Sequence, residues 1–343
     1  MKRAGQALFI SQRDGGTDQM QTSTLKKEIL TILGVMLCSL LWGSAFPGIK
    51  IGYSLWNIAS GDTWRIIRFA GFRFFLAGIL VIAIGSLMKK KFLFPKKNEW
   101  GKILLLSLFQ TIGQYVFFYI GLAHTSGVNS AVVDSLTVFF AILVACFIFR
   151  TERLTVRKIL GCILGLAGII LINITSEGFT FHPLGDGLVA LSALCYGVSS
   201  NMIKKYAKDH DTVLFSGYQF ALGGLLMTVF GQTGVWLLHE PSASQQEISY
   251  LPALGMLVYL ALVSSVAYTL WGILLRTNDV SKISIFGFIN PVIGVVLSAI
   301  LLKETGTLGI RYFLALLLIS LGIVIVNIKF TSFDTHKRSK INT

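Results

Sequence analysis

Along the chain, long apolar stretches free of charge alternate with short polar ones. They run Ile29–Ile49, Phe74–Met88, Ile103–Ala123, Thr125–Phe149 (interrupted only by Asp134), Ile159–Ser176, Gly187–Ile203, Thr212–Leu238, Ile248–Leu275, Ile283–Leu302 and Tyr312–Ile328. A hydrocarbon core about 30 Å thick takes roughly 20 residues of helix to cross, and most of the runs are near that length. The shorter ones reach it if flanking residues snorkel, as Arg73 can before the second and Lys204 after the sixth. Lipid offers no partner to a backbone N–H or C=O, and the runs lack the polar–apolar alternation of barrel strands, so they read as helices. The pattern predicts an all-α integral membrane protein with ten transmembrane helices.

The chain also resembles itself. An offset of 154 lays Trp42-Gly43 on Tyr196-Gly197, Lys50 on Lys204, Gly168 on Gly322 and Asn173 on Asn327; 146 lays Gly71–Leu80 on Gly217–Leu226; 152 lays Val128 on Val280 and Glu152 on Glu304. Closely similar offsets in chain order mean a duplication with small insertions and deletions. Residues 28–174 then form one five-helix repeat and 184–328 a second, with a disordered cytoplasmic tail over 1–27 and a cytoplasmic C-terminal tail over 329–343. Five being odd, the second copy has to cross the bilayer in the opposite sense. That makes an inverted-topology repeat, the arrangement that lets two halves exchange conformations and expose a central site to either side in turn.

Composition excludes a soluble globule: 54% of residues are hydrophobic and 13% charged, against roughly 25% charged in ordinary soluble domains, and the mean hydropathy is +0.71. The net charge of +14 changes meaning in this light. With the N-terminus in the cytoplasm, 24 of the 30 Lys and Arg fall on the cytoplasmic side, and only Lys50, Arg65, Arg68, Arg73, Lys303 and Arg311 on the other. This positive-inside bias places both termini in the cytoplasm of a multi-pass plasma-membrane protein and is no nucleic-acid footprint. Cys38, Cys146, Cys162 and Cys195 lie in apolar runs without C-x-x-C spacing and read as packing residues. The polar first 24 residues lack the apolar region of a signal peptide.

Asp134 is the one acidic residue within an apolar run. Counted from Ser126 it is about 12 Å into the fourth span, where a carboxylate is costly unless paired, protonated or facing a wet cavity. It is a candidate proton, cation or solute site, or else a structural partner for Arg73. Arg73 itself can attract an anionic group in a central cavity or snorkel to the outer headgroups. Gln110 and Gln114 share a helix face in the third span beside Tyr115. Trp42 and Tyr196 hold equivalent mid-membrane positions away from the interfacial belts, and Tyr268 and Asn290 add hydrogen-bonding groups; each can line a cavity or simply join helices. Pro47 and Pro291 can kink their spans. Gly161, Gly165 and Gly168, like Gly294 and Ser298, fit small-residue packing faces. Glu152 and Glu304 read as caps or as interfacial ion-pair residues beside Arg150, Arg153 or Lys303. No metal-ligand cluster, phosphate loop or nucleophile elbow is present, so neither a cofactor nor an enzymatic activity is expected.

Trp42-Gly43-Ser44, Arg73-Phe74 with Ala77, Asn290-Pro291, and Glu152 or Glu304 after spans four and nine resemble the ten-span EamA branch of the drug/metabolite transporter superfamily, over residues 28 to 328. One departure is Val138, where members often carry proline after the threonine. The resemblance implies an exporter of small metabolites such as amino acids, their derivatives or toxic compounds, either proton-coupled or facilitative, with a cavity lined by spans one, three, four, six, eight and nine. The expected function is a secondary transporter whose partners are a solute, the bilayer and, as candidate coupling ions, protons, with Asp134, Gln114, Trp42, Tyr196, Tyr268, Asn290 and Arg73 as its site. The alternatives are a non-transporting sensor or assembly factor, or a sugar-phosphate exchanger, which would want several cationic residues in the cavity.

Overall fold

The computed structural model describes residues 2–175, 178–179, 181–238, 248–277, 289–304 and 309–327. The start of the ninth apolar run and the tail over 329–343 lie outside the described residues. Ten helical segments follow one another among those described: α1 (Lys2–Leu55), α2 (Thr63–Lys89), α3 (Trp100–Ala123), α4 (Gly127–Phe147), α5 (Val156–Asn173), α6 (Leu188–Tyr206), α7 (Thr212–Leu237), α8 (Tyr250–Thr277), α9 (Ile289–Leu301) and α10 (Ile310–Asn327). Six of them, α1 to α4, α7 and α8, contain apolar helix long enough to cross a membrane, and α9 and α10 are shorter apolar helices. A two-rung antiparallel pair, Ile174–Thr175 with Gly178–Phe179, sits in the link between the halves.

The apolar part of α1 is Glu28–Leu55, but its backbone is helical from Lys2, where the sequence predicted a disordered tail. No proline precedes Pro47, and extending an existing helix avoids the cost of nucleation. Two further departures from regular helix matter below. Residues Ser107–Gly113 of α3 form a π-helical turn, and α4 is interrupted at Ser135.

Helix packing follows the duplication. α1 packs on α8 and α9, and its counterpart α6 on α3 and α4; α2 packs on α8, and α7 on α3; α2 meets α7, α4 meets α9, and α5 meets α10. Exchanging each helix for the one five places away leaves this set of pairs unchanged. The three equivalent pairs that touch, α2 with α7, α5 with α10 and α4 with α9, run antiparallel. Gly71 faces Gly224 and Thr228 while Gly78 faces Gly217 and Ala221. Gly161 meets Gly322 while Gly168 meets Ala315 and Ile319. Gly127 meets Ser298 while Gly294 meets Ala131. Phe74 and Phe220, which occupy equivalent positions, stand against each other at 5.4 Å between ring centroids.

The glycines of the α2–α7 crossing are there because backbone meets backbone. A Cβ on Gly78 would lie 2.7 Å from Gly217 O and 2.7 Å from Ala221 Cα, neither of which can swing aside. Gly78→Ala is therefore expected to lower the melting temperature in detergent, by the equivalent of about 1–3 kcal/mol. Gly255→Ala, with nothing within 4 Å, is the neutral control.

Candidate functional site

The site grows out of the irregular middle of α4. Ser126 caps the helix, its Oγ accepting from Asn129 N at 2.9 Å, and regular bonding continues to Asp134. There Ser135 intervenes. Its Oγ and its N–H both donate to Val132 O, at 2.6 and 3.1 Å, and Val138 N donates to Ser135 O at 3.3 Å in place of a carbonyl one residue earlier. The ladder tightens for one step immediately after the carboxylate. A broken helix at mid-membrane is tolerated where it is buried in protein or lines a wet cavity.

Asp134 lies deep within the protein yet is partly reached by solvent, as are Leu136, Thr137 and Val138 on the far side of the break. Among the described residues no hydrogen-bond donor or cation pairs with it, which removes the structural bond to Arg73 that the sequence left open. The charge of Asp134 is felt at Tyr115, Tyr196 and Tyr268, on α3, α6 and α8. Tyr115 and Tyr268 share a hydrogen bond between their hydroxyls at 2.6 Å. Phe74 stacks on Tyr115 at 3.8 Å, and Phe220 meets Tyr268 edge-on at 4.8 Å. Trp42 packs edge-on against Tyr268 at 5.4 Å and Trp271 at 5.2 Å.

Several polar atoms here are buried with no hydrogen-bond partner among the described residues: Trp42 Nε1, Gln114 Oε1 and Asn290 Oδ1, with Gln110 Oε1 in the π-helical turn. An orphaned buried polar group costs about 1–3 kcal/mol, and a solute or water that supplies the missing bond recovers it. The structure thus joins Trp42 to Tyr268 by ring contact and places Asp134 in electrostatic reach of Tyr196 and Tyr268. Gln114 and Asn290 contribute unsatisfied oxygens from α3 and α9 without a direct contact to the others.

Arg73 plays a different part from either role the sequence offered. It is 3% exposed, so it does not snorkel. Its Nε donates to Leu260 O at 3.1 Å, Nη1 to Tyr119 OH at 2.6 Å and Nη2 to Ser264 Oγ at 2.9 Å, and its guanidinium lies 5.0 Å from the Phe74 ring centre. Held in this way it is spent on protein groups and stands behind the tyrosine pair, where its charge is felt at Tyr115 and Tyr268. Its repeat equivalent, Gln219, is likewise buried and bonded to the facing helix: Thr111 Oγ1 donates to Gln219 Oε1 at 2.5 Å, and Ser107 Oγ to its carbonyl at 2.9 Å. Sequence reasoning passed over Tyr119, although it follows Tyr115 by one helical turn, the spacing that stacks side chains on one face.

The profile of the EamA-like transporter family matches residues 29–174 and again 183–328. The chain belongs to the EamA-like transporter family. It is a multi-pass membrane protein with two EamA domains. It is 26% identical over 272 residues to a chloroplastic WAT1-related protein of Arabidopsis thaliana, a match covering 77% of this chain and 62% of the plant protein's length. It is 28% identical to an uncharacterized transporter of Archaeoglobus fulgidus over 304 residues, 88% of this chain and 99% of the relative. A crystal structure with 21% sequence identity superposes with a TM-score of 0.57, covering 86% of this chain and 95% of the other, and shares the fold.

Proposed function

We propose that this EamA protein is a ten-span secondary transporter whose halves, 28–174 and 184–328, are inverted copies that rock about a central site. Three observations support the inverted reading: equivalent helices pack antiparallel, the pairing set survives exchange of the halves, and the basic residues divide 24 to 6 between the two sides. Both termini are cytoplasmic on this reading. The solute binds beside Asp134 with Trp42, Tyr196 and Tyr268 around it and Gln114 and Asn290 offering oxygens; Arg73 supports the site from behind.

The observation that carries the proposal is the lone carboxylate, deep, partly accessible, unpaired among the described residues and set at a helix break. A negative charge walled by aromatic rings favours a small solute bearing an amino group, which suits export of an amino acid, a derivative or a toxic amine, with Asp134 as the candidate proton-coupling group. A sugar-phosphate exchanger fits less well, because Arg73, the one cation near the site among the described residues, is already engaged by three protein groups.

The test is a thermal-shift screen of amino acids, amines and organic phosphates on purified protein, followed by counterflow in proteoliposomes. A true solute at 100 times its Kd stabilises by about 2.7 kcal/mol, which reads as a clear rise in melting temperature, and accumulates in vesicles. Stabilisation with no flux would point to a sensor, and neither across the amino-bearing panel would overturn the proposal.

A further inference from the structure

From the end of α2 the chain reads Lys89-Lys90-Lys91-Phe92-Leu93-Phe94-Pro95-Lys96-Lys97, five lysines around three large apolar side chains. The positive-inside bias accounts for the lysines but not for apolar residues set among them. The matching segment of the second half, residues 239–247, carries Glu240 and Glu247 and has no Lys, Arg, Phe, Tyr or Trp. Joining these two helices of the repeat therefore requires neither feature.

The segment is fastened to the helices beside it. Leu93 is buried against Gly85, where a Cβ would come within 2.7 Å of its Cδ1. Its N–H donates to Ser86 Oγ at 3.0 Å, and its carbonyl accepts from Tyr218 OH at 2.9 Å. Further along, the N–H of Lys96 donates to the buried Glu99 at 2.7 Å. Pinned at Leu93, the chain turns both neighbouring rings outward, and Phe92 is 72% and Phe94 64% exposed. The two rings stack at 6.5 Å, and Phe94 stands edge-on to Trp100 at 6.0 Å and to Tyr218 at 6.1 Å. Tyr218 is about 9 Å along α7 from Thr212, so the rings lie alongside the bundle rather than beyond its end. Leu87 and Met88, in the preceding turn, are exposed too, which sets this level at the edge of the hydrocarbon. Lys90, Lys91, Lys96 and Lys97 are exposed beside the rings, and among the described residues none is paired with a carboxylate, whereas Lys89 is paired with Asp211.

We infer that the α2–α3 segment is a binding site for an anionic phospholipid of the cytoplasmic leaflet, with the phosphate among the four lysines and the glycerol and upper acyl chains against Phe92, Phe94 and Trp100. Aromatic rings settle at headgroup level, and each lysine near an anionic membrane surface strengthens binding about fivefold. A segment already held at Leu93 has little freedom left to lose when lipid binds. The site is separate from the one around Asp134, and only the choice of leaflet rests on the inverted topology.

The test titrates full-length protein in a nonionic detergent with phosphatidylglycerol, or with zwitterionic phosphatidylcholine as the comparison, and counts retained lipid by native mass spectrometry. The parent is expected to hold phosphatidylglycerol about 25-fold more tightly, the factor for two lysines facing one headgroup. Lys90→Gln, Lys91→Gln, Lys96→Gln and Lys97→Gln combined should remove that preference. Phe92→Ser with Phe94→Ser keeps every charge and should weaken retention by a smaller factor, while Arg153→Gln with Arg157→Gln, after α4, should leave it unchanged. Glycerol phosphate in large excess, which offers the headgroup chemistry without the chains, should not displace the lipid. Equal retention of the two lipids by the parent, a preference that survives the four lysine changes, or displacement by glycerol phosphate would each overturn the site. Lysines serving orientation alone would give the second of these outcomes. Lipid retention needs neither solute nor flux, so a negative result here leaves the transport reading standing, and absent flux leaves the lipid site standing.

Discussion

Asp134→Asn is expected to weaken binding of an amino-bearing solute by roughly 10- to 100-fold while raising the melting temperature of the solute-free protein. Both directions follow from the same geometry. A charge-assisted hydrogen bond contributes about 1.5–3 kcal/mol, and each 1.4 kcal/mol is tenfold in affinity, so neutralising the carboxylate removes an interaction of that size. Asp134 has no partner among the described residues, and a deep unpaired charge is a cost that an amide of the same shape largely avoids. Binding isotherms and melting curves of the same preparations check the pair of effects. A melting temperature that falls would mean that Asp134 holds the helices together and that its part is structural. Solute flux against an imposed pH gradient adds the third reading: the Asn variant should lose its pH-driven component, and flux that stays pH-driven would take the coupling role away from Asp134.

Apolar runs locate helices because lipid leaves the backbone no alternative, and the described parts of the runs fall on helical segments, six of which are apolar helices long enough to cross a membrane. The duplication was legible in identities such as Gly71 with Gly217, and those same glycines form the crossing of α2 with α7. Depth could be counted along a helix, which is why Asp134 stood out. Azimuth could not, since the face a residue presents depends on which neighbours arrive. Arg73 was consistent with snorkelling until α3 and α8 supplied Tyr119, Leu260 and Ser264. The interruption at Ser135 and the π-helical turn before Gln114 left no mark in the sequence either, having neither proline nor a glycine pair at the break. Glu152 illustrates the same limit, because adjacent Arg150 and Arg153 were the obvious partners and the structure chose Lys158 and Lys204, 6 and 52 residues away. The signal that would have found it was the pairing of Lys50 with Lys204 in the repeat.

Arg73→Met is expected to be the most damaging single change for stability, about 3–5 kcal/mol, because it removes the donor from three buried acceptors at once. A methionine fills much of the volume but leaves Leu260 O, Tyr119 OH and Ser264 Oγ facing an apolar chain. Arg73→Lys keeps the charge and loses the planar fork, so a compact ammonium satisfies only some of the three, and an intermediate loss is expected. The second half suggests a milder replacement. Gln219 occupies the equivalent position fully buried and bonded to the facing helix, so Arg73→Gln should lie closer to the parent than Arg73→Met. Melting temperatures in one detergent rank the three. A surface arginine reaching for headgroups would give three near-neutral substitutions, and that outcome would return Arg73 to the membrane interface. If instead the order is Met worst and Gln mildest, hydrogen bonding rather than charge is what this position supplies to the packing around the tyrosine pair, and Arg73→Gln becomes the variant in which solute affinity can be compared with the fold preserved.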